Sequence, residues 1–139
     1  MIVYLDTSVL VSMFVADANT PRAWRVAEQR QQLIYSLWTV AEFSSALGVQ
    51  VRMDRLEPAE RLKAEALLDE WLARTAEPVP PSPEDFLAAR ELLRTTSVSL
   101  RAPDALHLAI CKRLGAALAS FDNKMQQAAA EFRTATIDV

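Results

Sequence analysis

The chain opens on an apolar run. Val3, Tyr4 and Leu5, with Ile2 before them, read as a short buried strand that stops on Asp6. Val9 to Val15 then predict a short helix. Thr20-Pro21 is a helix start, with a hydroxyl cap and proline at the first helical position, and that helix is expected to run to about Gln32. Leu33 to Leu37 predict a second strand, and Thr39 to about Met53 the next helix. From Pro58 the helical period is clearest: Ala64, Leu67, Leu68, Trp71 and Leu72 share one face, and Glu60, Lys63, Glu70 and Arg74 the other. The prolines of Glu77 to Pro83 forbid helix and leave a short edge strand or a loop, after which Ser82-Pro83 cap another helix. A loop over 95–102 leads to a helix begun by Pro103 and ended by Gly115. Ala116 to Phe121 read as a short buried strand, Lys124 to Phe132 as a helix, and the closing "TATIDV" as a last strand. Strands alternating with helices predict a mainly parallel sheet with helices on both faces.

Composition narrows the class. With 139 residues, 51% apolar and 24% charged, the chain has the size and balance of one soluble globular domain. Two glycines argue against a glycine-rich phosphate loop. No apolar run approaches the ~20 residues of a membrane helix, and no basic region precedes the first strand, so neither a membrane span nor a signal peptide is expected. The single cysteine, Cys111, fits a reducing compartment and is expected to be a small core residue. The expectation is a cytoplasmic protein. A net charge of −3 is unlike a protein that coats nucleic acid, so any such binding must be local. The acidic balance suits either carboxylates gathered round a cation or a merely solvated surface.

The placement of the acids gives that choice a form. Ligands of open parallel sheets bind beyond the carboxyl ends of the strands. Asp6 and Asp122 end strands, Glu42 sits in the first turns of the helix after the second strand, and Asp104 follows Pro103. Singly, Asp6 and Asp122 could be helix caps, and Asp104 a first-turn acid facing the helix dipole. Glu42 lies among mostly apolar neighbours, where an unpaired carboxylate is costly. Its structural alternative is an ion pair, with Arg101 as the candidate partner. If the four converge, they need a positive charge between them, and oxygen-only donors suit Mg²⁺ or Mn²⁺. One histidine and one cysteine argue against zinc. Ser8, Ser120 and Asn123, beside the acids, could hold water or orient the carboxylates, or serve only turns and caps.

Together, "VYLDTSVLV", "WTVAEFSSAL", "APDALHLAICKRLGAALASFDNKM" and "TATIDV" resemble the PIN-domain ribonucleases, most closely the VapC-type toxins of toxin–antitoxin pairs, over essentially the whole chain. The resemblance implies one PIN-like domain over residues 1–139, with a parallel five-stranded sheet flanked by helices. It implies metal-dependent endonucleolytic cleavage of RNA by the toxin of a type II pair. It carries Asp6, Glu42, Asp104 and Asp122 to the acidic metal site, Ser8 and Ser120 to hydroxyl positions near it, and Asn123 to a position often polar. It also implies a homodimer and docking of a cognate antitoxin.

Other residues carry two readings. His107, one turn after Asp104, is a base or ligand, or else a helix-surface or half-buried histidine with no partner evident in the sequence. Arg52, Arg101 and Lys124 are candidates to position RNA phosphates, and Arg55 reads as surface. Trp24, Trp38 and Trp71 read as core or interface, since no basic residues interleave with them for base stacking. The competing functions are a catalytically degenerate binding module of the same fold, a receiver-type Mg²⁺-binding signalling domain, and a hydrolase with a nucleophilic aspartate. The receiver wants adjacent acids after the first strand, and the hydrolase an acid where Ser8 stands.

Overall fold

A computed structural model describes residues 1–29 and 31–139. Four parallel strands form one sheet in the order β3-β2-β1-β4. They are β1 (Ile2–Leu5), β2 (Gln32–Ser36), β3 (Ala76–Val79) and β4 (Ala117–Ala119). The helices are α1 (Thr7–Phe14), α2 (Thr20–Glu28), α3 (Leu37–Arg52), α4 (Pro58–Thr75), α5 (Pro83–Thr95), α6 (Ala102–Leu114) and α7 (Asn123–Glu131).

The period of two along the strands sends neighbouring side chains to opposite faces. Val3, Leu5, Leu33 and Ala119 pack under α1 to α4, against Val9, Leu10, Ala23, Phe43, Leu47, Leu68 and Leu72. Tyr4, Ile34 and Leu118 face the other way, onto α5, α6 and α7. Helices therefore cover both faces and bury β1, β4 and most of β2, while the edge strand β3 stays largely exposed.

Two expectations are corrected. The fifth strand shrinks to one bridge: Leu118 pairs with Thr136, its N–H donating to the Ala135 carbonyl (2.8 Å) and its carbonyl accepting from Ile137 (3.0 Å). β4 has only three residues, so it offers little ladder, and the tail runs on to Val139, whose carbonyl accepts from Arg22. Helix α2 ends at Glu28 and not near Gln32, because Gln32 already pairs with Ile2 in the sheet. The part of that expectation on Arg30 lies outside the described residues. The prolines that made β3 doubtful are tolerated because β3 is an edge strand, where Pro78 needs no N–H on its outer side.

Local chemistry fixes the remaining ends. Asp85 accepts from the Ser82 N–H (2.8 Å) at the start of α5, and Gly115 ends α6 at φ 59° with nothing within 4 Å of where a Cβ would stand. On α4, Ala64, Leu68 and Leu72 are buried but Leu67 is exposed. Trp71 turns inward to meet Phe14 and Trp24 edge to face. No helix among the described residues is long and apolar enough to cross a membrane.

Candidate active site at the carboxyl edge of the sheet

Because the strands are all parallel, their carboxyl ends share one edge, and the residues just beyond β1, β2 and β4 meet there. Asp6 leaves β1, and its N–H donates to the Ala119 carbonyl (3.1 Å) at the end of β4. Its side chain is buried and does more than cap α1. Oδ2 accepts from the hydroxyls of Ser8 and Ser120, each at 2.8 Å, and only weakly from the Ser8 N–H (3.4 Å). Those hydroxyls accept in turn from the backbone of the turn that follows β4: Phe121 N–H on Ser8 and Asp122 N–H on Ser120, both at 3.0 Å. Each serine proton is therefore committed to Asp6. The two serines singled out from the sequence are the pins that lock Asp6 to the Asp122 turn.

Asp122 does cap α7, with Oδ1 accepting from Lys124 N–H (2.8 Å) and Met125 N–H (3.1 Å). It lines a cleft with Ser99, Arg101, Asp104, Asn123 and Lys124. Arg101 and Lys124 thus flank the acids. Arg52 does not: it ends α3, ten residues beyond Glu42, about 15 Å along the axis.

Glu42 is paired, but not with Arg101, which instead lies 3.8 Å from Asp104 at the surface. Glu42 accepts from Thr7 Oγ1 (3.3 Å) and is hydrogen-bonded to His107 Nε2. The expectation of a surface or half-buried, partnerless His107 is corrected: it is 0% exposed. Its Nδ1 meets the Tyr4 hydroxyl at 2.6 Å, and its Nε2 lies 3.8 Å from Asp6 Oδ1. Tyr4 was missed because it reads as one more apolar strand residue. The one available signal was a phenol beside a lone histidine in a chain otherwise rich in aliphatic core.

The electrostatics follow the convergence. Burial, then the charge of Asp122 and more weakly that of Asp6, holds the Asp104 carboxyl above the usual range, against the pull of Arg101. Burial disfavours the charged form of His107, but the hydrogen bond to Glu42 and the charges of Asp6, Glu42 and Asp104 outweigh it and raise its pKa. Among the described residues, no three or more His, Cys, Asp or Glu side chains are disposed to hold a metal ion as they stand. Asp122 is engaged as a cap and Glu42 with His107, and carboxylates that repel one another settle apart.

The alternating topology agrees with a wider comparison. A profile of the PIN domain matches residues 3–131. The chain belongs to the PIN-domain family. Among solved structures this PIN domain is similar to VapC20 of Mycobacterium tuberculosis, described as a sarcin-ricin loop cleaving toxin. That match has 20% identity and a TM-score of 0.72, over 91% of this chain and 94% of that one. It is also similar to VapBC2 from Rickettsia felis, bound to a DNA fragment from their promoter (15% identity, TM-score 0.70, 99% and 98% covered). A third is VapBC-1 from nontypeable Haemophilus influenzae (20% identity, TM-score 0.67, 99% and 98% covered). No curated protein matches the PIN chain.

Proposed function

We propose that this PIN domain is an Mg²⁺- or Mn²⁺-dependent endoribonuclease, a single catalytic domain acting in the cytoplasm as the toxin of a type II toxin–antitoxin pair. The observation that supports the reading is that Asp104 and Asp122 line one cleft at the sheet edge, where burial and the charges of Asp122 and Asp6 raise the Asp104 carboxyl, while Glu42 reaches toward Asp6 through His107. A divalent cation would relieve that repulsion, and all the donors are oxygens, which suits a hard ion. Asp6, Asp104 and Asp122, with Glu42, would hold it. When bound, it would activate a water and steady charge on the phosphodiester. Ser8 and Ser120 orient Asp6, Asn123 stands at the cleft beside Asp122, and Arg101 and Lys124, which line the same cleft, would contact RNA phosphates without reading sequence.

The VapBC relatives support a cognate antitoxin as partner. The exposed Phe86 of α5, which lines a groove with Trp38, and the exposed Leu87 of α5 and Leu62 and Leu67 of α4, offer apolar surface for that protein and for a second copy in a homodimer. The test is digestion of total cellular RNA by the purified protein with Mn²⁺ against an EDTA control. Cleavage is expected with Mn²⁺ and absent in EDTA. Cleavage that persists in EDTA overturns the reading.

A further inference from the structure

Three buried polar side chains lie beneath the acids. The Tyr4 hydroxyl is 2.6 Å from His107 Nδ1 and 3.3 Å from Thr39 Oγ1, and all three residues are 0% exposed. His107 Nε2 completes the line to Glu42. These residues sit on three different elements, β1, α3 and α6, each of which carries an acid or leads directly into one. Tyr4 is two residues before Asp6, Thr39 three before Glu42, and His107 three after Asp104. Buried polar groups are tolerated only when satisfied, and a satisfied network fixes its members far more tightly than an apolar contact of the same area. Valine, phenylalanine and leucine would fill the same space without demanding one another's positions.

We infer that Tyr4, Thr39 and His107 form a positioning bracket that sets the spacing of the Asp6, Glu42 and Asp104 carboxylates and fixes the orientation of Glu42. The bracket rests on the metal-dependent reading above, since the cation is what the spacing serves. None of the three residues touches RNA. They act through the acids, as partners behind metal ligands do, and loss of such a partner typically weakens metal binding by about 10- to 100-fold.

The experiment is Mn²⁺ calorimetry on the wild type, Tyr4→Phe, Thr39→Val, His107→Leu and His107→Gln, with folding checked by circular dichroism and RNA cleavage followed as kcat and KM. Tyr4→Phe removes one oxygen and leaves the ring packing intact. His107→Gln retains an N–H able to reach Glu42. The bracket predicts that Tyr4→Phe and His107→Leu lose about tenfold or more in Mn²⁺ affinity. It predicts that kcat falls while KM for RNA holds, and that His107→Gln recovers most of the affinity. A merely structural role lowers the melting temperature and leaves the Mn²⁺ affinity alone. If His107→Leu fails to fold, Tyr4→Phe decides. A folded Tyr4→Phe binding Mn²⁺ within about twofold of the wild type overturns the bracket while the nuclease reading stands. A wild type that neither binds Mn²⁺ nor cuts RNA overturns both.

Discussion

Replacing Asp6 separates a structural role from a chemical one. Two substitutions are needed, because Asp6 Oδ2 is the acceptor for both the Ser8 and the Ser120 hydroxyls, at 2.8 Å each. Hydrogen bonds to a charged acceptor contribute about 1.5–3 kcal/mol and neutral ones about 0.5–1.5. Asp6→Asn can keep both as neutral bonds through its carbonyl oxygen, a loss of roughly 2 kcal/mol. Relief of repulsion against Asp104 offsets part of this, so the net cost is expected at about 1–2 kcal/mol in the absence of metal. Asp6→Ala removes the acceptor of both hydroxyls and leaves them only their 3.4 Å contact with each other and, for Ser120, the Met125 sulfur at 3.9 Å. The loss of two short hydrogen bonds to a charged acceptor, together with the cap, brings the expected cost to about 3–5 kcal/mol. Urea unfolding in EDTA measures both. Cleavage tells the roles apart: a lost charged ligand forfeits several kcal/mol of charge stabilisation, or at least about 100-fold in rate. Asp6→Asn that folds and still cuts RNA at near wild-type rate refutes the ligand role. Asp6→Ala no less stable than Asp6→Asn refutes the serine-pin account.

Asp122→Asn keeps a good helix cap, so thermal unfolding is expected to show a loss of at most ~1 kcal/mol while Mn²⁺-dependent cleavage of RNA collapses. Asp85 lies buried between Arg113 Nε (2.7 Å) and the Ser82 N–H (2.8 Å). Burial pushes its carboxyl up, but these bonds outweigh burial and hold it below the ordinary range. Its folded pKa is depressed, so its contribution is complete above the unfolded value of about 3.9 and is lost as pH falls through the folded value. Urea titrations from pH 7 downward are therefore expected to show a loss in the wild type at acid pH that Asp85→Asn lacks. The variant itself should lose about 2–3 kcal/mol at pH 7, below the full cost of breaking a buried pair because Arg113 is partly exposed.

The sequence by itself determined the element order and both faces of the sheet. The strand runs are short and bounded by capping residues, and the helical stripes are long enough for their period to declare itself. It also put Asp6 and Asp122 at one edge of the sheet, because in a parallel sheet every residue just past a strand arrives at one edge whatever the details of packing. Ser8 and Ser120 were legible for the same reason. The extent of β4 and of the closing segment was not, since three alanine-rich residues carry little periodicity and pairing there depends on what the chain does beyond the sheet. The partners of Glu42 were not legible either. Arg101 is near Asp104 in sequence and stays there at the surface, whereas Tyr4 and Glu42 lie 103 and 65 residues from His107 along the chain. Which polar groups satisfy each other inside a core is settled only when the two faces of the sheet close, because burial is what makes an unpaired phenol, imidazole or carboxylate costly enough to choose its neighbour.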